Sequence, residues 1–115
     1  MDMKAFLNHF NRMLICDFRK ILIDLDSKGH WSNGVDNINL AWTDDKKGIG
    51  SVLVDMLNYW DKGNFVEHRF SVPKFLDILE KQKKDYMQLH PEETEAVEAE
   101  FEKFQKNLLQ KWISA

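Results

Sequence analysis

Gly50-Ser51-Val52-Leu53-Val54-Asp55-Met56-Leu57-Asn58-Tyr59-Trp60 is the stretch on which the fold turns. Val52, Leu53, Met56, Leu57 and Trp60 fall on one stripe of an α-helix. Gly50-Ser51 offers a cap before the stripe, and Asp61-Lys62-Gly63 stops it. Read this way, the segment is one of about four helices.

Upstream, residues from about Lys4 to Asp26 carry Phe6, Phe10, Met13, Leu14, Phe18, Ile21 and Leu25 at steps of one, three and four, widened by Ile15 and Leu22. This predicts a long, well-buried helix, ended at Ser27-Lys28-Gly29 by a glycine free to adopt a left-handed C-cap. From His30 to Thr43 the pattern blurs. Ser32-Asn33-Gly34 signals a turn. Ile38, Leu40 and Trp42 then alternate as in a strand, yet Asn37 and Asn39 are poor strand formers. Ile38 and Trp42 are also one helical turn apart, with Asp36 as an N-cap. The expectation is a short helix or irregular loop.

Downstream, Asn64 to Val72 forms an apolar link, and Pro73 suits the first turn of a helix because its missing N–H has no partner there anyway. Phe75, Leu76, Leu79, Gln82 and Tyr86 carry that helix to about Leu89. A last helix starts near Pro91, with glutamates in its first turns and Lys103, Lys106 and Lys111 towards its end. Such charges complement the helix dipole, each contributing about 0.3–1 kcal/mol. Val97, Phe101, Phe104, Leu108 and Trp112 form its apolar stripe.

The expected fold is therefore mainly α: a single helical domain over residues 1–115, a small antiparallel bundle of about four helices with residues 30–43 as one irregular loop excursion. The rival is an α+β fold in which Ile38–Trp42 and Phe65–Val72 pair as a two-stranded element.

Composition narrows the function. Net charge is −3, and the only compact basic run, Lys81-Gln82-Lys83-Lys84, is followed at once by Asp85, so nucleic acid is a disfavoured partner. Cys16 is the only cysteine, which rules out an intramolecular disulfide and a multi-thiolate zinc site. Asn8, His9, Asn11 and Arg12 interrupt the apolar start of the chain, and no stretch approaches the roughly 18 apolar residues of a membrane span. A cytoplasmic protein with no membrane partner is the expectation.

No active site is evident. Cys16 falls mid-helix beside the apolar stripe, as a half-buried, inert thiol would. No serine sits in a nucleophile elbow, and Gly48-Ile49-Gly50-Ser51 lacks the parts of a phosphate-binding loop, reading instead as a flexible helix entry. His90 with Glu93 and Asp61 with His68 are the only local ligand pairs, and Pro91 makes His90 a pre-helix residue. Asp17, Asp24, Asp26, Asp44 and Asp45 are acid–base candidates without a partner in sequence. No catalytic residue, metal or cofactor is expected. Cys16, His68 or His90 meeting carboxylates in one cleft would favour an enzyme.

Two features point to binding another protein. Trp60 and Trp112 fall on apolar stripes, whereas Trp31 stands in Gly29-His30-Trp31-Ser32-Asn33-Gly34 as either a lid over the core or an exposed anchor. Glu95, Glu98 and Glu102 share one helical face, flanked by Glu93 and Glu100. The expectation is a small acidic protein-binding module. It would be an inhibitor or immunity-type protein covering a basic surface of a toxin or nuclease. Trp31 and Trp42 would make the contact, and Glu95, Glu98 and Glu102 would steer it. The alternatives are a small enzyme with unidentified acid–base residues, or a structural, oligomeric subunit meeting its copies around Phe65 and Phe70.

Overall fold

A computed structural model describes residues 3–41, 51–58 and 64–114. Helix predominates, in α1 (Met3–Lys28), α2 (Val72–Leu89) and α3 (Thr94–Ser114), the last entered through a 3-10 turn at Pro91–Glu93. Between α1 and α2 the chain forms an antiparallel sheet of β1 (His30–Ser32), β2 (Asn37–Ala41), β3 (Ser51–Asn58) and β4 (Asn64–Ser71), ordered β1-β2-β3-β4. The mainly helical expectation holds at that level, but the four-helix bundle does not.

The correction lies in β3. The segment expected as a helix is an inner strand, paired from Ser51 to Asn58 with β4 and from Ser51 to Asp55 with β2. Both rows of its backbone donors and acceptors thus have neighbours to meet. Val52 and Val54 are β-branched and stand two residues apart, which suits a strand as well as the helical stripe does. Residues 30–41 are likewise a hairpin rather than a short helix or loop. Of the two regions weighed as paired strands, Ile38–Ala41 and Phe65–Ser71 are strands, but each pairs with β3 and not with the other.

The hairpin turn is built by side chains. Asn33 Oδ1 accepts from the backbone N–H of Val35 (2.9 Å) and Asp36 (2.7 Å), and Ser32 Oγ accepts from Gly34 N–H (3.0 Å). Gly34 takes φ +93°, a region open to glycine at no steric cost. Gly29, at φ +77°, ends α1 as expected, donating its N–H to Leu25 O. Its own carbonyl accepts from Leu40 N–H, which ties the helix end to β2.

The register aligns Trp31, Ile38, Val54 and His68 in one row across all four strands. The first three are buried, and Phe6 of α1 lies against His68 with ring centroids 4.0 Å apart. Phe10 stacks on Phe70 (5.7 Å) and Phe75 (6.3 Å), so the first half of α1 covers the sheet and the start of α2. A non-helical residue, Asp17 (φ −127°, ψ 27°), breaks α1. Beyond it Phe18 stacks on Tyr86 of α2, while Arg19 and Asp26 reach α3. α1 thus packs on α2 on both sides of Asp17 and bonds to α3 beyond it.

α2 begins as its sequence predicts. Ser71 Oγ accepts from Lys74 N–H at 3.3 Å, and Pro73 sits in the first turn. Phe75, Leu76, Leu79, Gln82 and Tyr86 are all buried, as are Val97, Phe101, Phe104 and Leu108 on α3. Among the described helices, none is long and apolar enough to cross a membrane.

Candidate functional site

A cleft of about 310 Å³ lies between the first half of α1 and the β1–β2 hairpin. His9, Arg12, Met13, Cys16 and Asp17 line it from the helix; Trp31, Asn33 and Asp36 line it from the hairpin. His9, Met13 and Cys16 come together because steps of three and four share a helix face. The turn then carries Asn33 and Asp36 up to them.

Asp36 is only 6% exposed, and its two carboxylate oxygens differ. Oδ2 accepts from Asn33 Nδ2 at 3.2 Å and lies 3.3 Å from His9 Nε2. Oδ1 is buried with no hydrogen-bond partner. Trp31, 1% exposed, likewise buries its Nε1–H without an acceptor. A buried polar group left unpaired costs about 1–3 kcal/mol, so two on the wall of one cleft form an unusual concentration of unmet hydrogen-bonding capacity. A second cleft of about 360 Å³ shares Arg12 and Cys16 with the first and continues over α2 past Asn11, Ile15, Gln82 and Asp85. Gln82 also buries an unpartnered oxygen, Oε1.

These positions revise several expectations. Trp31 is not a surface anchor: the sheet row places its ring in the core, and a ligand would meet it only from the cleft. Trp42 lies outside the described residues, as do Trp60, Asp44, Asp45, Asp61, Gly48 and Gly50. The side chains of Phe65 and Trp112 also fall outside them. Asp36 is no N-cap, because its residue precedes a strand. Phe70 is buried within its own chain.

Cys16 is exposed rather than half-buried, and it does share a cleft with His9, Asp17 and Asp36. His9 turns its Nε2 to Asp36, and no hydrogen bond joins it to Cys16. Asp26 is occupied by Asn107 Nδ2 at 2.9 Å and Lys103 Nζ at 3.7 Å.

The acidic run divides in two. Glu95, Glu98 and Glu102 are exposed. Glu93 and Glu100 instead turn inward on Arg19. Its Nε and Nη2 donate to the two oxygens of Glu100 (3.0 and 2.6 Å), and Nη1 donates to Glu93 (2.7 Å). This bidentate fork ties α1 to α3. Glu100 and then Glu93 raise the Arg19 pKa. The Arg19 hydrogen bond holds Glu93 below the ordinary carboxylate value, with a further contribution from the Tyr86 hydroxyl. Burial, and then Glu93, raise the Tyr86 pKa.

His90, Glu92 and Glu93 offer atoms within 4.8 Å of one another, the spacing of a metal-ligand set. Glu93 is already committed to Arg19 and Tyr86, so the cluster is organised as an ion-pair network. The sequence paired His90 with Glu93, and the two meet at 3.4 Å although Pro91 sets His90 before the helix. His90 caps the end of α2 through its N–H to Tyr86 O, and the turn that follows brings both glutamates round to it.

Sequence reasoning missed His9, Arg12, Asn33 and Asp36 as a group. The one signal available was the turn motif at residues 32–34, which implied a hairpin tip near some other element. No family model, curated protein or solved structure matches the chain.

Proposed function

We propose that the protein is a binding module whose recognition centre is the α1–hairpin cleft. The observation that carries this reading is the pair of unpaired buried groups, Trp31 Nε1–H and Asp36 Oδ1, on two residues that line one cleft. A ligand presenting an acceptor to the first and a donor to the second would remove both desolvation penalties on binding. Small-ligand sites have this character: an apolar surround, here Met13 and the Trp31 ring, with a few placed polar groups.

The test is a titration of isotopically labelled protein with a chemically mixed fragment library of cations, anions, zwitterions and neutral amides, followed by backbone amide NMR. Binding should move the signals of His9, Arg12, Cys16, Trp31, Asn33 and Asp36 together. If no fragment moves them at millimolar concentration, the cleft is not a ligand site.

A second reading, an inhibitor covering a basic surface of a toxin or nuclease, is favoured by the exposure of Glu95, Glu98 and Glu102 on one face of α3. It calls for association that weakens with salt. It is refuted if reversing these three residues to lysine leaves the association rate with a basic partner unchanged.

A further inference from the structure

We infer that the cleft receives an α-ammonium group with an oxygen acceptor on the adjoining carbon, the head group shared by a free amino acid and a peptide N-terminus. This rests on the reading of the cleft as a ligand site and adds the ligand's chemical class.

The inference follows from what each wall group accepts. Asp36 Oδ1 is a buried carboxylate oxygen with a free lone pair, and Asp17 contributes a second carboxylate to the same lining. A ligand that is only an anion would be repelled by both. An ammonium donor to Asp36 would make a charge-assisted bond, roughly twice as strong as one from a neutral amide. An ammonium or guanidinium alone, however, has no acceptor and would leave Trp31 Nε1–H unpaired. A ligand oxygen beside the ammonium meets that need. Arg12 and His9 stand on the same lining to receive partial or full negative charge on that oxygen. The wall thus carries both signs of charge, as a zwitterion requires.

Size agrees. A cleft of about 310 Å³ is at the lower end of the roughly 300–1,000 Å³ range of small-molecule sites. It holds one head group with a modest side chain, for which Met13 and the Trp31 ring supply the apolar contact.

Access requires a local movement, because both orphan atoms are closed to solvent. His9 and Asn33 contact Asp36 at 3.3 and 3.2 Å, the long end of the hydrogen-bond range, and His9 is a third exposed while Asn33 is an exposed residue. Rotation of either side chain would release Oδ2, the other oxygen of the same carboxylate, to a stronger donor.

The test is calorimetric titration of the full chain with L-leucine, L-leucinamide, the dipeptide Leu-Gly, N-acetyl-L-leucine and isoamylamine. The first two should bind saturably. N-acetyl-L-leucine, which lacks the ammonium, and isoamylamine, which lacks the oxygen, should bind at least tenfold more weakly. Leu-Gly binding as well as leucine assigns the site to a peptide N-terminus; Leu-Gly failing where leucine binds assigns it to a free amino acid. Asp36→Asn should weaken leucine at least tenfold. Trp31→Phe should abolish the preference for leucinamide over isoamylamine. Should Asp36→Asn not fold, the ligand series on the unaltered protein decides alone. N-acetyl-L-leucine binding as tightly as leucine overturns the ammonium inference while leaving the cleft a ligand site, and so does binding of library fragments with none of this series. Silence from both series and library overturns the two together.

Discussion

Replacing Trp31 by phenylalanine should be far cheaper than its burial suggests. The ring is 1% exposed and pairs across the sheet with Ile38, so Trp31→Ala should cost about 3–5 kcal/mol, the usual range for emptying such a site. Trp31→Phe keeps a ring in place. It removes roughly 40 Å³, worth about 1 kcal/mol at ~24 cal/mol per Å³ of cavity. A similar area of lost burial contributes about 1 kcal/mol more at ~25 cal/mol/Å². Against these losses, the substitution deletes a buried N–H that has no acceptor, a penalty of about 1–3 kcal/mol in the folded state. The terms offset, and the net change should fall within about 1 kcal/mol. Equilibrium urea unfolding followed by far-ultraviolet circular dichroism measures both variants on one scale. A Trp31→Phe cost near that of Trp31→Ala would refute the reasoning, because it would mean that the indole N–H has a partner whose loss is felt.

Acid should weaken the fold through Glu93. Arg19 holds its carboxyl below the ordinary value of 4.5, so its stabilising contribution is complete above that value and is lost as pH falls through the lowered one. Arg19→Gln should flatten this acid limb in denaturation midpoints measured against pH; an unchanged limb would remove Arg19 from the explanation. Gly34→Ala should cost about 1–2 kcal/mol by urea unfolding. An added Cβ meets nothing within 4 Å, so only the φ of +93° penalises it, and a neutral result would place the turn in another conformation. Phe10→Ala should cost about 3–5 kcal/mol, since the ring is fully buried between Phe70 and Phe75. A cost under 1 kcal/mol would separate α1 from the sheet.

The helices were legible because each spans many turns. Over α1, seven residues from Phe6 to Leu25 keep helical spacing, and all seven are buried. A strand of eight residues gives no such redundancy. In β3, Val52, Leu53, Met56 and Leu57 satisfy the helical spacing while Val52 and Val54 satisfy the alternating one, and the decision comes from β2 and β4, whose pairing is not local in sequence. Asn37 and Asn39 argued against a strand on propensity alone. They stand opposite Asp55 and Leu53 in register, on the alternate positions to buried Ile38, where both are only partly buried. The cleft was illegible for a related reason. His9 and Asp36 are 27 positions apart and meet only because a hairpin, itself unread, returns its turn to the helix. The glutamates show the reverse difficulty: a helical wheel separates Glu95, Glu98 and Glu102 from their neighbours, but only the position of Arg19 reveals Glu93 and Glu100 as inter-helix contacts.

The claim at the centre of this account is that Trp31 and Asp36 hold unmet hydrogen bonds for a ligand. It is tested most directly by the indole N–H signal of Trp31, assigned among the four tryptophans by its loss in Trp31→Phe and followed during titration with L-leucine. Binding through the cleft should move that signal saturably downfield, as the N–H gains an acceptor, with the same midpoint as the backbone signals of Asp36. A Trp31 signal that stays fixed while leucine saturates the protein, or already sits at a hydrogen-bonded position without ligand, would contradict it.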